Sequence, residues 1–221
     1  MQEENYHIPV LLEECMEGLN INPSGVYVDL TFGGGGHSRE ILKRLSPEGE
    51  LFAFDKDEDA KNNAINDERF CLISDDYANV AKQLRLYRKM KVDGILADLG
   101  ISSHQIDTAE RGFSTNKEAP LDLRMNRHTG VTAADVVNSY DKEQLKSIFK
   151  EYSDLPNSGF LADRIVKMRD ERPIQTTMDL IDIINDNIDK FSVGAYEFNG
   201  YLGKVDDVTE YLKVCSDLAN Y

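Results

Sequence analysis

Between Val26 and His37 the chain runs Val-Tyr-Val-Asp-Leu-Thr-Phe, then four consecutive glycines (Gly33 to Gly36), then His37. A helical pattern of apolar residues follows at Ile41, Leu42 and Leu45. This order reads as a strand, a turn of bare backbone and a helix N-terminus. Glycines let main-chain N–H groups approach a ligand without a Cβ in the way. A helix start adds unpaired donors and a partial positive charge. Together they suit a nucleotide-like ligand at the top of a parallel sheet. The turn alone is ambiguous. A dinucleotide fingerprint wants G-x-G-x-x-G, but Ser38 stands where the last glycine belongs. A phosphate-binding P-loop wants a lysine, and none follows. A purely structural glycine turn is the plain alternative.

Acids supply the next layer. Asp29, Asp55 and Asp98 each close an apolar run. Ligands of open α/β sheets bind outside the carboxyl ends of the strands, so three such carboxylates are expected to converge on one crevice. Asp55 lies about 20 residues past the glycines, the place of an acid that grips ribose hydroxyls. The expected ligand therefore carries an adenosine-type ribose. Tyr77 can flank an adenine ring, or simply be a rim aromatic. Asp98 can accept a hydrogen bond from an amino group being alkylated, or from an ammonium on the ligand.

These residues need a scaffold. Strands are predicted at residues 25–31, 50–55, 70–74 and 92–98, and helices at 9–19, 37–45, 57–65 and 77–90. Pro9 is placed in the first turn of the first helix, where a missing N–H matters little. The alternation predicts an α/β fold, a doubly wound parallel sheet. Residues 100–120 are polar and turn-rich, too long for a plain connector. Thr132 to Asp189 then reads as helices only, with Thr132 and Asp141 as caps. Arg111, Arg124 and Arg127 cluster in the loop region, and Lys167, Arg169 and Arg172 form a looser group. Either group can contact phosphate; solvated surface charge is the alternative, especially for the second.

Bulk properties narrow the class. Hydrophobic residues are 41% of the chain, well above the disordered range. No apolar run is long enough to span a bilayer. The acidic, polar start, Met-Gln-Glu-Glu-Asn, does not resemble a leader peptide. Three cysteines and four histidines are scattered, which predicts reduced thiols, a cytoplasmic protein and no bound metal. A net charge of −15 argues mildly against nucleic-acid binding, although local patches matter more than the total.

Six segments together carry a family resemblance. They are His7-Ile-Pro-Val-Leu-Leu-Glu-Glu14, Tyr27-Val-Asp-Leu-Thr-Phe-Gly-Gly-Gly-Gly-His-Ser38, Asp98-Leu-Gly-Ile-Ser-Ser103, Ala109-Glu-Arg-Gly-Phe-Ser114, Pro120-Leu-Asp-Leu-Arg-Met125 and Glu171-Arg-Pro-Ile-Gln-Thr-Thr177. In this order the chain resembles the bacterial 16S rRNA (cytosine-N4) methyltransferases of the MraW/RsmH type. The resemblance implies a class I, Rossmann-like fold that uses S-adenosylmethionine, with a helical domain inserted in the sheet. It implies methylation of N4 of a cytidine in 16S rRNA of the small ribosomal subunit. It places cofactor contacts at Gly35, Gly36, His37, Asp55, Tyr77, Asp98 and Gln105. At His37 the main chain, not the imidazole, is expected to face the ligand. Asp98 is the expected catalytic residue, with Arg111, Arg124 and Arg127 on RNA.

The motifs end near Asp189. The implied organisation is a cofactor half-domain over residues 1–105, a helical recognition insertion over 106–190 and a tail over 191–221 outside the family pattern. In the tail, Tyr196 to Lys204 suits a hairpin, and an amphipathic helix carries Val208, Tyr211, Leu212, Cys215 and Leu218. A parallel sheet that stops after four strands is incomplete and leaves an unpaired edge. The tail, a second copy or another partner is the expected cover; an edge left open is the alternative. Two functions follow: an RNA methyltransferase, or an inactive remnant that binds an adenosyl ligand or a protein. A dehydrogenase is the weaker third reading.

Overall fold

The computed structural model describes residues 9–152 and 157–187, and the chain divides into two compact units after Gly100. The first unit carries four parallel strands: β1 (Val26–Asp29), β2 (Glu50–Phe54), β3 (Phe70–Ile73) and β4 (Gly94–Leu96). Their spatial order is β3-β2-β1-β4. Asp29 lies opposite Ala53 of β2 on one side and Leu96 of β4 on the other. The chain therefore builds outward from β1 through β2 to β3, then returns to lay β4 on β1's free side. The reversal of direction between β1 and β4 is a topological switch point, where open α/β sheets bind ligands.

Side-chain alternation along the strands explains two covered faces. Tyr27, Leu51 and Leu96 pack with Met16 of α1 (Leu12–Leu19) and with Ile41 and Leu42 of α2 (Gly36–Arg44). Their sequence neighbours Val28 and Phe52 point the other way and meet Leu84 of α3 (Val80–Leu86). The sheet is thus doubly wound, as expected. β4 pairs only with β1 among the described residues, and Ile95 in it is 51% exposed.

Several predicted elements change on close view. The first helix begins at Leu12, not Pro9, because Leu11 takes a left-handed φ of 50°. The predicted helix after Asp57 is a 3-10 helix, Glu58–Asn63, whose N-cap Asp57 accepts from the Asp59 amide. The one predicted after Tyr77 opens as a 3-10 turn, Tyr77–Asn79, capped by Asp76. In both, a short acid side chain competes locally for backbone amides, which favours the tighter turn.

The second unit is helical: α4 (Ser103–Asp107), α5 (Ala133–Ser139), α6 (Lys142–Tyr152), α7 (Ser158–Glu171) and α8 (Thr177–Asn185). Thr132 caps α5 in a box with Asp135 as expected, and Thr176 and Asp179 repeat the device on α8. Asp141 accepts from the Gln144 amide at the start of α6. Leu121, Val137, Leu145, Leu161, Ile165, Ile174 and Ile183 form this unit's own core. The long loop is stitched down rather than loose: Leu121 donates to the Gln175 carbonyl and Thr177 to that of Ala119, both at 2.9 Å. The hairpin and helix expected in the tail lie outside the described residues.

Candidate functional site

The site begins with the glycine turn that leaves β1. Gly33 and Gly35 adopt φ of 49° and 76°, the left-handed region in which a Cβ is penalised. A Cβ on Gly35 would stand 2.8 Å from the Phe32 ring, and one on Gly36 would stand 2.3 Å from Pro9 Cγ. A Cβ on Gly34 would meet nothing within 4 Å. The turn is braced from outside. Arg39 Nη1 donates to the Gly34 carbonyl at 2.6 Å, and Asn63 Nδ2 to that of Gly33 at 3.0 Å. Both braces escaped the sequence reading. Asn63 is 30 residues from its glycine, so no local pattern marks it.

Helix α2 starts at Gly36, so the amides of Gly36, His37 and Ser38 belong to the first turn, which has no carbonyl partners within its own helix. The His37 imidazole is buried, with Nε2 3.1 Å from the Val10 carbonyl oxygen. It anchors the segment before α1, which leaves the His37 main chain as the part suited to a ligand.

The strand-end acids divide in two. Asp29 is 1% exposed. Its Oδ2 accepts from Ser38 Oγ at 2.7 Å and its Oδ1 from the Thr31 amide at 3.0 Å. Burial pushes its carboxyl above the usual range, while the Ser38 and Thr31 hydrogen bonds pull back. The expectation that three carboxylates converge on one crevice is corrected here: Asp29 turns inward and ties β1 to α2. Asp55 is half-buried, immediately past β2. Its Oδ2 accepts from the Gly33 amide and its Oδ1 from the Asp57 amide, both at 2.8 Å. An ionised carboxylate offers about four lone-pair sites, so two remain for other donors. Burial raises the Asp55 carboxyl, against the two amide bonds. The acid and the glycine turn are thus one assembly.

Tyr77 follows β3 and is 42% exposed, with Lys56 Nζ 5.9 Å from its ring centroid. Lys56 also pairs with Asp76 at 3.5 Å. Asp98 is exposed, two residues past β4, and its amide donates to Thr31 Oγ1 at 2.8 Å. Gly35, Gly36, His37, Asp55, Tyr77 and Asp98 all lie on the carboxyl side of their strands, within one unit. Bare amides, an acid with spare lone pairs, an exposed ring and an exposed carboxylate fit an adenosyl ligand.

The remaining residues lie in the helical unit. Gln105 is buried, and its side chain forms half of the capping box that starts α4, accepting from the Ser102 amide at 3.0 Å. Arg111 is 1% exposed, and its Nη2 donates to the carbonyls of Arg124 and Met125 at 3.0 Å each. It braces the loop from inside, so the expectation of a phosphate contact at Arg111 is corrected. Arg124 grips Asp122 with two nitrogens, at 2.7 and 2.9 Å. Arg127 is exposed. The second basic group disperses: Lys167 pairs with Asp163, Arg172 with Asp179, and Arg169 binds the carbonyls of Val137 and Tyr140.

Comparison with known proteins identifies the family. Ribosomal RNA small subunit methyltransferase H of Christiangramia forsetii is 52% identical over 179 residues, 81% of this chain and 59% of that protein. The protein of the same name from Phocaeicola vulgatus is also 52% identical over 179 residues, with the same shares covered. That from Cytophaga hutchinsonii is 49% identical over 215 residues, 96% of this chain and 72% of the relative. This last likeness reaches into the segment set apart at residue 191. The chain spans about three fifths of the length of the first two relatives. Residues 4–196 match the MraW methylase family, and the chain belongs to that family.

Proposed function

We propose that the first unit binds S-adenosylmethionine and that the chain serves methyl transfer to the exocyclic N4 amine of a cytidine in 16S rRNA of the small ribosomal subunit. One observation carries the cofactor reading: the Asp55 carboxylate past β2 is locked to the Gly33 amide of the turn past β1, at the carboxyl ends of the strands, with acceptor sites left for two ribose hydroxyls. The first-turn amides of α2 suit the polar end of the same ligand. Tyr77 flanks the adenine. Gln105, expected on the cofactor from the family resemblance, lies in the helical unit, where its side-chain oxygen caps α4.

When bound, S-adenosylmethionine would supply an electrophilic methyl group on a sulfonium, its S–CH3 bond breaking as the N–CH3 bond forms to leave the neutral thioether, while the alkylated amine gives up one proton. The N4 lone pair of cytosine is delocalised into the ring and is a poor nucleophile. The Asp98 carboxylate contacts the bound cofactor and also accepts a hydrogen bond from that amine, which raises its reactivity and holds it in line. The base has to leave its stack to reach the pocket. Arg127, and Arg124 if it exchanges Asp122 for phosphate, hold the RNA backbone. An rRNA substrate implies a cytoplasmic site of action. No helix among the described residues is long and apolar enough to cross a membrane.

A second reading is cofactor binding without turnover, which needs only the first unit, where the glycine turn, Asp55, Tyr77 and Asp98 lie. Calorimetric titration with S-adenosylmethionine tests the shared core. Saturable binding is expected. Asp55→Ala removes hydrogen bonds to a charged group worth roughly 1.5–3 kcal/mol each, so affinity falls about a hundredfold or more. A folded chain that does not bind sinks both readings. Methyl transfer to undermethylated 30S subunits then separates turnover from binding alone.

A further inference from the structure

We propose that Thr31 is a positioning residue for Asp98: its hydroxyl ties the loop after β4 to the loop after β1 and sets where the Asp98 carboxylate stands. The inference rests on the reading of Asp98 given above and adds a residue that reading does not use.

The argument starts from strand register. Asp29 and Leu96 face each other across β1 and β4, and the ladder continues one step as the Leu30 amide donates to the Leu96 carbonyl at 2.9 Å. Beyond that point β1's extension turns to the other neighbour, with the Phe32 amide donating to the Phe54 carbonyl of β2 at 3.0 Å. The main chain of β1 therefore leaves β4 just where Asp98 needs an acceptor for its amide. A side chain takes the place of the missing carbonyl: Thr31 Oγ1 accepts from the Asp98 amide at 2.8 Å, across 67 residues of sequence.

The hydroxyl is itself held. Thr31's amide donates to Asp29 Oδ1 at 3.0 Å, and its Oγ1 lies 3.5 Å from the same oxygen. A hydroxyl can donate to the carboxylate while accepting from the Asp98 amide; a methyl group can do neither. The β-branched side chain also restricts χ1, which fixes the direction of that hydroxyl. Ser38 at the start of α2 holds the other oxygen of Asp29 at 2.7 Å. One relay therefore runs Ser38–Asp29–Thr31–Asp98, from the helix after the glycine turn, through a buried carboxylate, to the exposed acid. It spans the switch point, so the glycine turn and the Asp98 loop hold a fixed mutual geometry.

The test compares Thr31→Val, nearly isosteric but without the hydroxyl, with Thr31→Ser, which keeps it. Two quantities are read: hydrogen exchange of the Asp98 amide by NMR, and S-adenosylmethionine affinity by calorimetry, each also in an Asp98→Ala background where it applies. Thr31→Val is expected to speed Asp98 amide exchange at least about tenfold and to weaken affinity about five- to tenfold, the scale of one hydrogen bond. Thr31→Ser is expected to stay within about twofold of the unsubstituted chain on both. In the Asp98→Ala background, Thr31→Val is expected to add no further loss, because its effect passes through Asp98. An equal loss in both backgrounds overturns the proposal, since Thr31 would then act through the glycine turn or general stability. Unchanged protection of the Asp98 amide overturns it as well. If Thr31→Val does not fold, Thr31→Ala is read for the same two quantities. Failure of the unsubstituted chain to bind overturns the cofactor reading and, with it, Thr31's part in that site. The amide measurement then decides separately whether the tie exists.

Discussion

At the scale of single residues, the two acids nearest the glycine turn have the same type and opposite tasks. Each carboxylate has both oxygens hydrogen-bonded within the fold, but Asp29 is fully buried, whereas Asp55 is only half-buried and can offer its remaining lone pairs to a ligand. Composition cannot separate them, since both close apolar runs at a strand end. The difference is which neighbours fold onto each carboxylate. A pH effect follows for Asp29. Its folded value lies above the ordinary 3.8 because burial disfavours the charged form. The stability that the protonated form contributes is therefore complete below about pH 3.8 and is lost as pH rises through the folded value. Asp29→Asn keeps the shape and removes the charge. Urea unfolding between pH 3 and pH 7 is expected to show the variant gaining on the unsubstituted chain as pH rises. A difference that does not change with pH would mean that the carboxylate's ionisation is not opposed by its surroundings. Arg111 carries the same lesson. Its motif made it a candidate for RNA, yet it is buried and holds the carbonyls of Arg124 and Met125.

At the scale of elements, the four strands of the first unit and its helices before β2 and β4 were legible with shifted ends, while the helix expected over 57–65 is a 3-10 helix. Periodicity reports which residues face the core, not where the hydrogen-bond ladder stops. The predicted strand over 92–98 shrinks to Gly94–Leu96, so Asp98 lies in a loop and needs Thr31 to hold it. The helix expected from Pro9 starts at Leu12, because Pro9 is placed against Gly36 and the Val10 carbonyl beside His37. The glycines are not equivalent either. Gly35→Ala puts a Cβ in the left-handed region and against the Phe32 ring. It is expected to cost roughly 1–2 kcal/mol for the backbone alone and more for the clash. Gly34→Ala enters open space and is expected to cost less than about 0.5 kcal/mol, or to stabilise slightly by restricting the unfolded chain. Thermal melts of the two variants check this ranking, and equal losses would argue against the turn geometry.

At the scale of the whole molecule, two compact units each carry their own core, the pattern of units able to respond separately to a core change. Leu145 is fully buried in the helical core. Leu145→Ala is expected to destabilise that unit by about 3 kcal/mol. Hydrogen exchange should rise in α5 to α8 while β1, β2 and α2 keep their protection. Equal loosening of both units would show a single cooperative fold. The sequence by itself determined the α/β class, the strand–glycine–helix order, the helical second part and the presence of Asp55, Tyr77 and Asp98 near strand ends. These follow from local periodicity and from residue types that tolerate few conformations. Only the tertiary structure decided that Asp29 turns inward, that Arg111 is a brace, that Asn63 and Arg39 hold the glycine turn, and that Thr31 meets Asp98. Those pairings join residues far apart in sequence, and their partners are set by strand order and register. A one-dimensional pattern carries no record of which strand lies beside which, and so none of which side chain finds which carbonyl.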